Sequence, residues 1–271
     1  MVFLQYLIPQ HFVSNLMHKF AAIKTKWIKN FCIKIFIRIY KIDLNLAKIK
    51  NINEYKSFNE FFTRELKENA RIIATANLIY PVDGQVAQFG TISNNKLIQA
   101  KNINYSLENL LASNKHANNF IDGDFATIYL SPKDYHRIHM PFSAKLIAMD
   151  YVPGSLFAVN FQTVSKVKGL FTKNERAICY FDTDDFGICA LILVGAIFVG
   201  SIETTWQGKI TPPYRKNIKK FDYSNDSIYL KKGEELGRFN MGSTVILLLP
   251  KNNNILDGVK NNAIVKMGQK I

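Results

Sequence analysis

Four side chains in this 271-residue chain have the types needed for an activated nucleophile. Ser243 follows Gly242 in Phe239-Asn240-Met241-Gly242-Ser243-Thr244-Val245. His136 and His139 stand in Tyr135-His136-Arg137-Ile138-His139-Met140-Pro141, and Asp83 in Pro81-Val82-Asp83-Gly84. An imidazole can take the hydroxyl proton, and a carboxylate can hold the ring in the tautomer that does so. Ser243 is not in a Gly-x-Ser-x-Gly turn, so the nucleophile elbow of the α/β hydrolases is absent. Gly242 offers another target, because a residue without Cβ lets its own carbonyl be approached closely. With His139 as base, the Ser243 oxygen adds to that carbonyl and turns the amide into an ester. β-Elimination then cuts the chain and leaves dehydroalanine, which hydrolyses to a pyruvoyl group. Gly-Ser pairs are common, and an ordinary strand start accounts for the pair alone equally well.

The elements that must position these groups are readable in outline. Asp83-Gly84, between two apolar runs, has the form of a hairpin turn. Ser131-Pro132-Lys133-Asp134 has the form of a helix start, with Ser as cap, Pro first and an acid in the first turn. One helical turn from there sets His136 and His139 on one side, where two imidazoles can act as acid and base near neutral pH. No Cys or acid stands at a spacing that would extend His-x-x-His, so no metal is expected. Ser57, with Glu60 three residues on, reads as a capped helix start. Beyond Arg71 come short β-like runs at 78–82, 85–89, 126–130, 144–151, 177–181, 187–194, 197–202, 228–230 and 244–249. Turn signals punctuate them. The pattern predicts an α+β fold: N-terminal amphipathic helices over 1–55, then a β-rich catalytic domain of mainly antiparallel strands over 56–271.

Hydrophobic residues make up 48% of the chain, enough for a sizeable core. The three cysteines, Cys32, Cys179 and Cys189, argue against a disulfide framework and favour a reducing compartment or the cytosolic side of a membrane. The net charge of +14 is concentrated near the N-terminus, where Lys19, Lys24, Lys26, Lys29, Lys34, Arg38, Lys41, Lys48 and Lys50 face Asp43 alone. Phe20, Ile23, Trp27, Ile28, Phe31, Ile33, Ile35, Phe36, Ile37 and Ile39 are interleaved with them. On a helix Lys34, Arg38 and Lys41 make a narrow basic stripe. So many Ile side chains argue against a nucleic-acid surface. A helix lying among anionic headgroups wants this mixture, with Trp27, Lys34, Arg38 and Lys41 touching the membrane. Packing on the protein's own core is the bland alternative. A span needs about 20 mainly apolar residues, and Gln5, Pro9, Gln10, His11 and Asn15 interrupt the apolar start. No basic segment precedes that start, so a cleaved signal peptide is not expected.

Taken together and in order, several segments resemble the bacterial-type phosphatidylserine decarboxylase proenzymes along nearly the whole chain. They include Phe58-Asn59-Glu60-Phe61-Phe62-Thr63-Arg64, Pro81-Val82-Asp83-Gly84, the run from Leu130 to Pro141, and Tyr151-Val152-Pro153-Gly154-Ser155-Leu156-Phe157. Leu170-Phe171-Thr172-Lys173-Asn174-Glu175-Arg176, Gly200-Ser201-Ile202-Glu203-Thr204 and Gly237-Arg238-Phe239 ahead of Gly242-Ser243-Thr244 complete the set. The resemblance implies that Asp83, His139 and Ser243 form a charge relay for self-cleavage between Gly242 and Ser243. A β chain (1–242) and an α chain (243–271) result, paired as a heterodimer, with larger assemblies left open. Ser243 becomes the pyruvoyl cofactor, which takes phosphatidylserine as a Schiff base and yields phosphatidylethanolamine. His136 is implied near the substrate headgroup or in proton transfer. The implied location is the cytoplasmic face of the cell membrane, as a peripheral protein. Met241 stands where the family usually has Leu, a conservative apolar change. A membrane-associated serine hydrolase that never cuts itself is the alternative reading.

Overall fold

The computed structural model of the chain describes residues 2–101, 103–198, 201–240, 243–251, 256 and 258–271. Two N-terminal helices, α1 (Gln10–Ala21) and α2 (Lys26–Tyr40), are followed by the short α3 (Phe58–Phe62). The strands are β1 (Gly84–Thr91), β2 (Lys96–Ala100), β3 (Ile103–Ser106), β4 (Asp124–Leu130), β5 (Arg137–His139), β6 (Ala144–Val152), β7 (Arg176–Thr183), β8 (Gly187–Val194), β9 (Ile202–Thr204), β10 (Gly208–Lys209), β11 (Lys219–Asp222), β12 (Tyr229–Leu230), β13 (Glu235–Phe239), β14 (Ser243–Leu249) and β15 (Ile264–Val265).

The pairings between these strands are antiparallel, as expected for this α+β chain. A large sheet runs β11-β6-β7-β8-β14-β4-β1-β15, with β12 also on β6, and a small one runs β10-β9-β13-β5. Alternation along the strands sends residues to opposite faces. Ala177, Cys179, Phe181, Leu191, Leu193, Val245 and Leu247 face the small sheet and meet Ile138, Ile202, Leu236 and Phe239. Ile178, Tyr180, Ile192, Ile246 and Leu248 face the other way, into a core shared with Ala21, Ile33, Phe58 and Phe61 of the helices. The central strands are therefore apolar on both faces, and β14 has a neighbour on each side.

Four local expectations differ from the structure. The run 78–82 is extended but makes one isolated bridge, Ile79 to Lys270, and no strand. Asp83-Gly84 is no hairpin turn: Asp83 sits in a bend and Gly84 opens β1. A Cβ on Gly84 would collide with the Tyr129 carbonyl, so only glycine lets β1 close on β4 there. The run 197–202 is divided, with Ile197 and Phe198 in a turn, Val199 and Gly200 outside the described residues, and β9 starting at Ile202. Finally, 131–134 forms a turn rather than a helix. The Asp134 carboxylate accepts from the Ser131 N–H at 2.8 Å and its hydroxyl at 2.6 Å, a local closure that competes with the helix.

Candidate active site

The small sheet hands the chain to the large sheet between Phe239, the end of β13, and Ser243, the start of β14. Asn240 is fastened before the crossing: its N–H donates to the Ser201 carbonyl at 3.0 Å and its side-chain amide to the Ser201 hydroxyl at 2.8 Å. Its side-chain carbonyl accepts from Asn59 at 3.0 Å. Beyond the crossing, the Ser243 backbone pairs with Leu130, and Thr244 with both Tyr129 and Val194. Gly242, the expected residue ahead of the cut, lies outside the described residues together with Met241. Each flank of that bond is thus anchored independently of the other.

Residues 131–136 make a second crossing beside the first, from β4 to β5. The Phe239 N–H donates to the His136 carbonyl at 3.1 Å, while Leu130 pairs with Ser243. His136 and the Ser243 backbone are therefore brought to the same place. The His136 ring is completely buried and stacks on Phe62, with centroids 4.1 Å apart and planes 22° apart. Among the described residues neither ring nitrogen makes a well-formed hydrogen bond. Burial, and then the nearby Arg64 charge, depress its pKa to about 3, against a small opposing effect of the Pro132 and Ser131 backbone. This ring stays neutral at any working pH.

His139 is at the other end of β5, opposite Glu235. His136 lies just outside the strand, three residues and about 10 Å of extended chain away. The helical turn that would have aligned them does not form, because 137–139 pair with β13 instead. His139 Nδ1 lies 2.7 Å from the Gly233 carbonyl and Nε2 lies 3.0 Å from the Tyr135 hydroxyl. A carbonyl can only accept, so Nδ1 carries the proton and Nε2 keeps its lone pair. That is the tautomer a general base needs. Burial lowers the pKa of the ring, with the Gly233 bond and the Glu235 and Asp83 charges opposing.

Asp83 is adjacent but bonded elsewhere. The His139 N–H reaches the Pro81 carbonyl at 2.9 Å, so the two segments touch. The Asp83 carboxylate, only 3% exposed, instead accepts from Arg71 at 2.5 and 3.1 Å, from Lys266 at 3.1 Å and from the Met267 N–H at 2.9 Å. Burial alone would raise its pKa; Arg71, Lys266 and the Met267 amide outweigh that and hold it below the usual carboxylate value. Asp83 acts on His139 through space, and the tautomer expected of their contact is set by Gly233. Arg71, Lys266, Tyr135 and the Gly233 carbonyl were not legible in the sequence as site groups.

The helices stand over the same end of the large sheet. Gln10 of α1 accepts from the Leu156 N–H at 2.6 Å, and Ser14 from the Phe198 N–H at 3.2 Å. The outer side of the pair carries two apolar stripes at four-residue spacing, Phe12, Leu16 and Phe20 on α1 and Trp27, Phe31, Ile35 and Ile39 on α2, all exposed. Trp27 is 73% exposed. Lys34 and Arg38 are exposed beside the α2 stripe, and Lys41 lies one residue past the helix, in the left-handed region. The inner side packs inward: Phe36 meets Phe58, Phe61 and Phe62, and Phe62 is the ring under His136. No described helix is long and apolar enough to cross a membrane.

Comparison with known proteins finds matches along the chain. The family model described as phosphatidylserine decarboxylase matches residues 58–271, and a second, described as PSD, matches residues 1–41. A phosphatidylserine decarboxylase proenzyme of Francisella tularensis subsp. novicida is 53% identical over 256 residues, covering 93% of this chain and 89% of the relative. Proenzymes of the same name from Francisella philomiragia and Shewanella amazonensis are each 47% identical over 274 residues. Those alignments cover 100% and 98% of this chain and 96% and 95% of the relatives.

Proposed function

The chain belongs to the phosphatidylserine decarboxylase family, and from that premise we propose how its own residues carry the reaction. It is a pyruvoyl-dependent carboxy-lyase made as a proenzyme, which processes itself and converts phosphatidylserine to phosphatidylethanolamine. Family membership gives no support to a hydrolase that keeps its chain intact.

In the self-cleavage, the Ser243 hydroxyl attacks the Gly242 carbonyl and His139 takes its proton. What supports His139 is its tautomer, with the Nε2 lone pair turned away from Gly233, and a burial that keeps the ring neutral. Asp83 favours the protonated ring electrostatically, without touching it. His136, with a pKa near 3, is too weak a base for that task and is assigned to the substrate headgroup. After the cut, the α chain (243–271) stays in place because β14 is hydrogen-bonded to β4 and β8, both in the β chain (1–242). The heterodimer therefore needs no covalent link.

The residues at this crossing fit a pyruvoyl group. Position 243 is pinned by its neighbours, the buried Thr244 hydroxyl beside it has no partner among the described residues, and the backbone of a buried, neutral His136 is tied to the same crossing. The group supplies an electron sink for the pair released as CO₂ leaves. The protein binds and orients the lipid and excludes water.

Residues 1–55 dock the enzyme as a peripheral protein on the cytoplasmic face of the cell membrane, and 56–271 carry the chemistry. The exposed apolar stripes, with Trp27 at the start of one and Lys34, Arg38 and Lys41 beside it, suit a headgroup layer containing anionic lipid. Docking there sets the bilayer against the end of the sheet where β14 begins. The observation that carries the whole reading is that the two crossings lie side by side, joined by Phe239 to His136 and Leu130 to Ser243. Intact-mass measurement tests it. Two fragments divided after Gly242 are expected, the smaller with an N-terminal carbonyl reactive towards hydrazine, while Ser243→Ala remains one chain and releases no CO₂. A wild-type preparation that is whole and fully active would overturn it.

A further inference from the structure

Beside Asn240, a cavity of about 420 Å³ opens between the end of α1, the start of α3 and the β9–β10 hairpin. We propose that it seats the phosphodiester of the lipid, with the ammonium groups of Lys24 and Lys56 as its counter-charges. The assignment rests on the lipid-decarboxylase reading and adds a binding site to it.

The charges in the wall are unequal in availability. Arg238 is committed to Glu203 at 2.5 Å, and the Glu60 carboxylate is turned back onto the Lys56 backbone N–H. Lys24, Lys56 and Lys209 line the same space, are exposed, and form no ion pair among the described residues. A cavity rich in uncommitted ammonium groups favours an anion, and a phosphate oxygen gives each a charge-assisted hydrogen bond. The buried side-chain carbonyl of Asn59 also has no partner among the described residues and is available to a headgroup ammonium.

Position fixes which phosphate fits. Lys24 lies between Phe20 and Trp27, so the mouth opens among exposed apolar residues of both helices. Asn240, also in the lining, precedes Ser243 by three residues. The cavity therefore has exposed apolar residues beside Lys24, cations in its lining, and a link through Asn240 to the reacting position. A phosphatidylserine molecule has the same order: acyl chains, phosphate, and then the amino acid, only three bonds from phosphorus to the carbon that loses CO₂.

Calorimetric titration of glycerophosphoserine, the headgroup without acyl chains, tests this in the full-length Ser243→Ala protein, where binding is reversible. Binding is expected, and Lys24→Gln with Lys56→Gln in the same background should weaken it by about tenfold or more. Free serine should be insensitive to the two lysines. Inorganic phosphate should bind more weakly than glycerophosphoserine yet depend on both lysines. Unchanged affinity for glycerophosphoserine in the lysine variant, or no binding to either protein, overturns the site. Equal affinity for inorganic phosphate and glycerophosphoserine overturns the headgroup assignment in favour of a general anion site. Fragment masses keep this apart from the underlying reading: a chain with both lysines replaced and Ser243 intact should still cleave after Gly242. Normal cleavage with unweakened binding overturns the phosphate site alone.

Discussion

The backbone N–H of Phe239 donates to the carbonyl of His136 at 3.1 Å, tying the last residue of β13 to a histidine that sequence places more than a hundred positions earlier. That single bond, with Ser243 paired to Leu130, puts the His136 backbone beside the cleavage crossing. Basicity separates the tasks of the two histidines, because His136 is depressed to about 3 while His139 keeps its Nε2 lone pair, 3.0 Å from the Tyr135 hydroxyl. His139→Ala should therefore leave an uncut chain. His136→Ala should cleave yet decarboxylate about 10²-fold more slowly, because the ring orients substrate. Masses and CO₂ release on the two variants decide it; full activity in cleaved His136→Ala would remove that residue from the site.

Asp83 should matter for stability as well as processing. Its carboxylate is nearly inaccessible and answers Arg71, which is 12% exposed, and Lys266, which is 43% exposed. Removing the anion leaves an uncompensated, largely buried guanidinium, so Asp83→Asn should cost about 3 kcal/mol near pH 7. Lys266→Ala, at the wetter partner, should cost under about 1 kcal/mol. The folded pKa of Asp83 lies below the unfolded value, so its contribution holds above about pH 4 and fades as pH falls through the folded value. Urea titrations of wild type and Asp83→Asn at several pH values should converge on the acid side; a constant gap would contradict the assignment.

What could be read without coordinates followed from local regularity. Near-continuous apolar runs announced β6, β7, β8 and β14, because both faces of these strands are buried and few polar residues interrupt them. Gly242-Ser243, His136, His139 and Asp83 were visible as residue types. Their wiring was not. Lys266 meets Asp83 across 183 positions, and the group that sets the His139 tautomer is a main-chain carbonyl, which has no residue type to recognise. At 131–134 the local signal pointed the wrong way, since Ser, Pro and Asp suit a helix start as well as the turn that Asp134 closes. Long-range pairing of Arg137 and Ile138 with β13 decided between them.

The docking helices give a prediction that separates charge from apolar contact. Replacing Lys34, Arg38 and Lys41 together by Gln should weaken binding to phosphatidylglycerol-containing liposomes by about 1 kcal/mol per charge at low salt, roughly a hundredfold in all. Trp27→Ser with Phe31→Ser should reduce binding to neutral and anionic vesicles alike, because it removes apolar area from the interface. Flotation at two salt concentrations measures both. Unaltered affinity of the charge variant at low salt would show that these cations do not face the lipid.

Glu175 ties the α1 end of the molecule to pH. Its side chain is inaccessible, accepts from the Tyr151 hydroxyl at 2.9 Å, and has His11 of α1 at 4.0 Å, with Thr211 and Tyr214 completing the surroundings. Burial pushes its pKa up to about 7, against the Tyr151 and Thr211 bonds, and burial also lowers the pKa of His11. Burial disfavours the charged form of each group, so the contact is not a stable ion pair. An acid whose folded pKa exceeds its unfolded value carries its full stabilising effect only at low pH. Between about 4.5 and about 7 the unfolded chain ionises while the folded one does not, and stability falls with rising pH. The accumulated cost by pH 8 is on the order of 3 kcal/mol, taking 1.36 kcal/mol per pKa unit. Glu175→Gln keeps an acceptor for Tyr151 without the charge. It should match wild type at pH 4 and exceed it in urea midpoint at pH 8. Parallel stability curves for the two proteins across that range would show that Glu175 ionises as readily in the folded chain as in the unfolded one.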